Sequence, residues 1–232
     1  MPSGPFRLGG DATAPRSVEP CRPTIGDRFI MRSQVTCQQW CTFLDALPLE
    51  EATTRAPGRS GRFGAVESNW KRTKQGWQIP ESWDPMWPII GVSHFDALAY
   101  ALWVTEQTGR RVRLPTEEEW EKAARGVDGR AWPWGNHFDP CFANMSRSIP
   151  DQHGPVPVGR FGDDTSVYGC LDMAGNVAEW TLSMMDTRLI AVRSGSWRAE
   201  PDELRCASRR AVPPQYRASI ISFRLISEQP ID

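Results

Sequence analysis

The sequence predicts an α+β domain that is rich in loops, with short strands and about three helices. Three capping boxes mark helix starts in the first half of the chain, whereas short apolar stretches without strict alternation follow residue 126. The chain also contains 20 Pro, 19 Gly and 11 Trp. Tryptophan buries a large apolar area, and proline and glycine shape turns, so this composition is typical of a fold with many packed loops. Helices mixed with short strands favour the α+β class.

The capping boxes place the three helices. In this motif a Ser or Thr and a residue three positions later satisfy each other's end of the first helical turn. The pairs are Thr36 with Gln39, Ser93 with Asp96, and Thr116 with Glu119. The second helix is expected to end at Gly109 and to bury Phe95, Leu98 and Leu102.

The regions between and after these helices are mostly loop. Residues 51–88 are polar and rich in Gly, Arg and Trp, so we expect a loop region at the surface, with short strand pairing at 70–79. Further short strands are expected at 132–134, 155–158, 191–197 and 220–225. Because no internal repeat or low-complexity linker interrupts the sequence, we expect a single domain over 1–232.

Charge and cysteine content exclude several classes of function. The 27 basic residues nearly balance the 28 acidic ones, which gives no electrostatic case for binding nucleic acid or a membrane surface. The first residues lack the basic and apolar regions of a signal peptide, and no apolar run is long enough to span a bilayer. Six scattered cysteines without a CxxC pair favour reduced thiols and a cytoplasmic location.

Four motifs occur in a characteristic order. They are RLPTEEEWEKAARG (113–126), WPWGN (132–136), YGCLDMAGNVAEW (168–180) and GSW…LRCASRR…FRL (195–225). Together they resemble the formylglycine-generating-enzyme family, also called the sulfatase-modifying factor family. The resemblance implies the C-type-lectin-like fold of that family.

The resemblance stops at the catalytic centre. The active enzymes carry a pair of cysteines between GSW and the following R-C-A segment, and these cysteines bind copper. The corresponding stretch here, 198–205, reads RAEPDELR and contains no cysteine. We therefore expect neither copper nor iron, and the chain leans towards a protein that is not an enzyme.

The segment GNVAEW resembles a calcium site of the family. The resemblance implies side-chain oxygens from Asn176 and Glu179, with a main-chain carbonyl such as that of Val177 between them; calcium prefers such hard oxygen ligands. An alternative stays open, in which Glu179 pairs with an arginine such as Arg193 or Arg224 and Asn176 holds a turn.

A second calcium site of the family uses an A-N dipeptide and a later aspartate. The side-chain candidates here are Asn144 and Asp151, in a loop shorter than that of the enzymes. An Asx-turn competes with this interpretation, because asparagine side chains also cap backbone groups in loops.

Histidines and Cys206 give no sign of a catalytic metal or nucleophile. His94, His137 and His153 lack the spacing of an iron site, which needs a clustered set of ligands. Cys206 has no evident base nearby and is expected to lie in the core.

The final motif predicts a ligand-binding face within 193–225, because this segment forms the exposed ligand face in C-type-lectin-like folds. We expect Trp197, Leu204, Cys206, Phe223 and Leu225 to point inward. The residues expected to point outward on one face are Arg198, Glu200, Asp202, Glu203, Arg209, Gln215, Tyr216 and Ser219. The competing interpretation is a surface salt-bridge network formed by the arginines of this segment, which would contribute little free energy.

These observations favour a non-catalytic domain that recognises a protein or small-molecule ligand. The chain resembles modules attached to or partnered with bacterial signalling proteins, including Ser/Thr kinases. It also resembles the variable proteins of diversity-generating retroelements, in which this same segment is hypervariable. The alternative is a divergent metal-dependent oxidase of the family that acts on a cysteine or a small thiol.

Overall fold

The computed structural model describes residues 1–60, 66–150 and 153–230. These ranges contain four α-helices: α1 (Cys37–Ala46), α2 (Leu49–Arg55), α3 (His94–Thr108) and α4 (Glu117–Arg125). A short 3₁₀-helix spans Pro201–Leu204. Within the described ranges, none of the helices combines the length and apolar character needed to cross a membrane.

Thirteen short strands accompany the helices in the described residues. The N-terminal strands are β1 (Gly4–Pro5), β2 (Thr24–Ile25), β3 (Phe29–Ile30), β4 (Arg59–Ser60), β5 (Val66–Glu67), β6 (Lys71–Thr73), β7 (Gly76–Gln78) and β8 (Val112–Arg113). The C-terminal strands are β9 (Ala178–Met184), β10 (Ile190–Arg193), β11 (Arg209–Val212), β12 (Ile221–Ser222) and β13 (Ile226–Ser227).

The largest sheet has the order β11-β10-β9-β12, with β12 parallel to β9 and the other pairs antiparallel. A second sheet, β3-β13-β8, places the last strand between two strands from the first half of the chain. Hairpin β6-β7 confirms the strand pairing expected at 70–79. Strands also occur within 191–197 and 220–225, whereas 132–134 and 155–158 form turns and loop instead.

All three capping boxes are present at the starts of α1, α3 and α4. Gly109 caps α3 at its C-terminus with a φ of 66°, a conformation that glycine adopts without steric cost. Helix α2 adds to the three expected helices. It begins after Pro48 without a side-chain cap, so the sequence contains no capping signal for it. Glu50 and Glu51 in its first turn and Arg55 in its last turn favour a helix there.

Helix α3 buries a different face from the one expected. Its buried apolar residues include Ala97, Tyr100 and Ala101, whereas Phe95 is 54% exposed and Leu102 is 60% exposed. The apolar residues of this helix occur on several of its faces, so their spacing does not indicate which face is buried. The face containing Tyr100 is chosen by an aromatic cluster in the main core, where the Tyr100 ring lies 5.5 Å from the Trp40 ring and 5.5 Å from the Phe223 ring.

Candidate functional site

Glu179 lies on β9 and is completely buried. Arg224 donates from Nε and from Nη2 to the two carboxylate oxygens of Glu179, each at 2.8 Å. Trp120 Nε1 and Gln34 Nε2 donate to the same two oxygens, also at 2.8 Å. A carboxylate has about four acceptor positions, and all are in use here. The geometry therefore favours the alternative in which Glu179 pairs with an arginine, and that arginine is Arg224.

The two predicted calcium segments meet at their asparagines. Asn144 Nδ2 donates to Asn176 Oδ1 at 3.3 Å, and the Asn176 amide donates to the Asn144 carbonyl at 2.8 Å. Asn176 also exchanges two hydrogen bonds with the backbone of Val156, at 3.0 and 3.1 Å. With a φ of 66°, Asn176 occupies the left-handed region that asparagine tolerates in turns. Both side chains thus hold loop backbone together.

The oxygen cage implied by the family resemblance does not fit these side chains as they stand. Glu179 is neutralised by Arg224, and Asn176 Oδ1 already accepts two hydrogen bonds. Val177 is fully buried next to them, and Asp151 lies outside the described residues. In the part of the chain that the structure describes, no group of three His, Cys, Asp or Glu side chains converges. Calcium binding stays a prediction.

Two buried aspartates beside this turn were not singled out by the sequence analysis. Asp164 accepts four contacts of 2.9–3.1 Å from the backbone amides of Met173, Ala174 and Gly175. Burial, together with the charge of Asp172, raises the pKa of Asp164 to about 8. Burial also raises the pKa of Asp172 to about 6. The proximity of Asp172 to GNVAEW was the one sequence signal that could have drawn attention to it.

The buried thiols have the properties of core residues. Cys206 is fully buried, and burial raises its pKa well above its usual range. His94 is also buried, with Nε2 3.0 Å from the carbonyl oxygen of Thr181, and burial lowers the pKa of its imidazole. A neutral, inaccessible thiol is a poor nucleophile and a poor metal ligand. The environment of Cys206 agrees with the core role expected from the sequence.

Most of the predicted outward residues of 193–225 are accessible. Arg198, Glu200, Asp202, Gln215 and Tyr216 are exposed, and Glu203, Arg209 and Ser219 are half-buried. Of the residues expected to point inward, Leu204, Cys206, Phe223 and Leu225 are buried. Trp197 departs from that expectation, since it is only half-buried.

The arginines of this segment, apart from Arg198, pair with carboxylates of the described residues. The pairs are Arg193 with Glu121 at 2.5 Å, Arg205 with Asp11 at 2.8 Å, Arg209 with Glu117 at 2.6 Å, Arg210 with Glu203 at 2.9 Å, Arg217 with Asp96 at 2.8 Å and Arg224 with Glu179 at 2.8 Å. Four of them reach α3, α4 or β9, so they fasten the segment to the fold. Arg209 was expected on the ligand face and instead serves this anchoring role, because Glu117 accepts hydrogen bonds from its Nε and from one terminal nitrogen.

Arg198 is different from these anchors. Its guanidinium lies 4.3 Å over the Trp197 ring, and no carboxylate of the described residues lies within ion-pair distance of it. Trp197 in turn donates from Nε1 to the Ser219 carbonyl at 3.3 Å. Trp197 therefore contacts both the exposed Arg198 and the half-buried Ser219.

Comparison with known proteins places the chain among the sulfatase-modifying factors. The family model of the sulfatase-modifying factor enzyme 1-like domain matches residues 1–229. An inactive C-alpha-formylglycine-generating enzyme 2 from Bos taurus is 36% identical over 60% of this chain and 50% of its own length. A formylglycine-generating enzyme from Thermomonospora curvata is 30% identical over 87% of this chain and 76% of its own.

A third relative is the serine/threonine-protein kinase Pkn1 of Chlamydia trachomatis, 31% identical over 87% of this chain and 33% of its own length. The chain therefore spans only part of these relatives, about half of the Bos taurus protein.

Solved structures confirm the predicted fold. PvdO from Pseudomonas aeruginosa superposes with a TM-score of 0.78 and 23% identity, covering 99% of this chain and 93% of its own. Variable protein 1 of Treponema denticola superposes with a TM-score of 0.73 and 18% identity, covering 99% and 94%. The fold is the α+β, C-type-lectin-like type of the formylglycine-generating enzymes.

Proposed function

Because the chain belongs to the family of sulfatase-modifying factor enzyme 1-like domains, we propose that it is a non-catalytic member that recognises a ligand with its C-terminal segment. One observation carries this proposal. The stretch 198–205, where active relatives place their copper-binding cysteines, contains no thiol and instead carries the exposed side chains of Arg198, Glu200 and Asp202.

The surroundings of these side chains suit recognition. Asp202 lies in the 3₁₀-helix Pro201–Leu204, whose Leu204 side chain is buried, and ion pairs of Arg193 and Arg209 fix the backbone on either side of the stretch. A surface that is rigid before binding loses less conformational entropy when a ligand arrives. The accessible Tyr216 and Arg198 belong to residue types that often dominate binding free energy.

The partner is proposed to be a protein of a signalling pathway. The support is the similarity to the Pkn1 kinase, in which the matched part is one third of a longer chain. Variation of the outward residues is a finer form of the proposal. Its support is the alternation between anchored residues, such as Arg217 and Phe223, and unanchored ones, such as Gln215 and Tyr216.

Site-specific photocrosslinking tests the proposal. A photoreactive phenylalanine analogue is placed at Arg198, Gln215 or Tyr216, and at Glu106 and Arg111 as exposed controls on and just after α3. After irradiation in cells of the source organism, we expect a discrete adduct from the three face positions and none from the two controls. Adducts from all positions alike, or from none, would contradict a recognition role for this face.

A further inference from the structure

Two clefts flank the contact between Trp197 and Ser219. A cleft of about 190 Å³ is lined by Trp70, Trp83, Ile90 and Ser219, among others, and its lining is mostly apolar. On the other side, a groove of about 770 Å³ is lined by Arg147, His153, Trp197 and Arg198, among others. Ser219 belongs to the first cleft and Trp197 to the second, and the hydrogen bond between them joins the two.

The smaller cleft has the chemistry of a pocket for one apolar side chain. The Trp70 and Trp83 rings meet edge to face, with centroids 6.0 Å apart, and Ile90 is buried beneath them. Sites for drug-sized molecules measure roughly 300–1,000 Å³, so a cleft of about 190 Å³ suits a single leucine, proline or phenylalanine side chain. Its aromatic walls offer a large contact area that costs little side-chain entropy.

The larger groove is positively charged, in contrast to the apolar smaller cleft. Arg147 and Arg198 bring two positive charges to it. The indole of Trp197 supports the guanidinium of Arg198 from one face, which leaves the N–H donors at the edge of the guanidinium available. Such a pre-positioned guanidinium binds carboxylates through two parallel hydrogen bonds.

We infer that the two clefts form one bipartite site for a peptide segment, with an apolar side chain between Trp70 and Trp83 and a nearby Asp or Glu side chain on Arg198. A ligand must be chain-like to enter both clefts across the Trp197–Ser219 contact, and charge complementarity requires the second group to be acidic. This inference rests on the proposed recognition function and specifies the chemistry of its ligand.

Selection from a library of displayed random short peptides tests the inference on the purified chain. We expect the enriched peptides to share an apolar residue within a few positions of an Asp or Glu. Enrichment of basic or purely polar peptides, or no enrichment, would overturn the inference. If the face positions still give crosslinked adducts in that case, the recognition function survives without this ligand.

Variants of the two clefts test which cleft binds the acidic residue of the selected peptide and which binds the apolar residue. Arg198→Glu should weaken binding about tenfold or more and remove the preference for an acidic residue, whereas Arg111→Glu, an exposed arginine on the loop after α3, should change nothing. Ser219→Trp should block the apolar cleft and remove the preference for the apolar residue, whereas Gln107→Trp on α3 should not. Trp83→Ala removes a wall of the same cleft and should act like Ser219→Trp. Equal affinities for all these variants would overturn the bipartite site.

Discussion

Glu179 shows how one residue can be assigned two roles that have different consequences. As a calcium ligand it would stabilise the fold only when the ion is bound, whereas as the partner of Arg224 it acts without any ion. The observed pair is fully buried and completed by Trp120 and Gln34, so each charge is compensated. Loss of one partner from such a pair leaves the other charge buried and alone.

We therefore expect Glu179→Ala to lower the free energy of unfolding by about 3–5 kcal/mol. The loss should be the same with calcium and with a chelator, as measured by urea unfolding. Glu203→Ala is the matched control, because its pair with Arg210 is partly exposed and should contribute less than about 1 kcal/mol. A wild-type protein that melts at a higher temperature with calcium, and a variant that loses this shift, would instead support the calcium site.

Glu119 predicts how stability depends on pH. Burial alone would raise its pKa, but hydrogen bonds from Arg113 and from the Thr116 amide lower it from 4.5 to about 2. A carboxylate with a depressed pKa stabilises the folded state fully above the unfolded value and loses this effect as the pH falls.

The free energy of unfolding should thus decrease by about 3 kcal/mol through Glu119 between pH 4.5 and about 2. Glu119→Gln should remove this part of the acid dependence, while Glu118→Gln should retain it. Denaturant unfolding at a series of pH values measures the effect. Parallel curves for wild type and Glu119→Gln would show that the Arg113 pair does not control acid stability.

The acidic first turn of helix α4 forms ion pairs with the C-terminal segment. Glu117 contacts both Arg193, at 3.5 Å, and Arg209, at 2.6 Å, so one carboxylate joins β10 and β11 to the helix. The capping box explains why this turn is helical, and the helix dipole favours its acidic residues. The motif around α4 therefore has a structural function that extends to the candidate ligand face.

Glu117→Gln should destabilise the protein by about 1–3 kcal/mol and speed amide hydrogen exchange in β11. Glu118→Gln is a matched control, because it removes the same charge from the same helical turn but has no ion-pair partner among the described residues. Exchange rates in β11 that are equal in the two variants would contradict an anchoring role for Glu117.

Local elements of this fold could be predicted from the sequence, whereas long-range pairing could not. The capping boxes act within four residues, so Thr36, Ser93 and Thr116 suffice to place three helix starts. Helix α2 has no such cap, and the buried face of α3 depends on rings elsewhere in the chain. The pairs of Arg209 and Arg224 join residues 92 and 45 positions apart, so sequence alone left their roles open.

The whole molecule has the fold of the sulfatase-modifying factors, whereas its 198–205 stretch contains no cysteine. We expect no aldehyde on a peptide containing CxPxR after incubation with the copper-loaded protein, because 198–205 has no thiolate to bind the metal and Cys206 is buried. Mass spectrometry of the peptide measures the product. A formylglycine peptide, or tightly bound stoichiometric copper with oxygen consumption, would favour the divergent oxidase instead.

We also predict that the outward side chains of 193–225 can be substituted without loss of the fold, because the buried side chains of the segment hold it in place. Substitutions of exposed residues without partners typically change stability by less than about 0.5 kcal/mol, whereas a buried apolar residue contributes several times more. The outward set is Arg198, Glu200, Asp202, Gln215 and Tyr216, and the matched inward set is Leu204, Cys206, Ala207, Phe223 and Leu225.

Protease resistance of two displayed libraries, one randomised at the outward set and one at the inward set, measures this difference. We predict that most members of the outward library remain folded and that few members of the inward library do. Equal folded fractions in the two libraries, or a largely unfolded outward library, would contradict the proposal that this segment is a variable recognition face on a fixed frame.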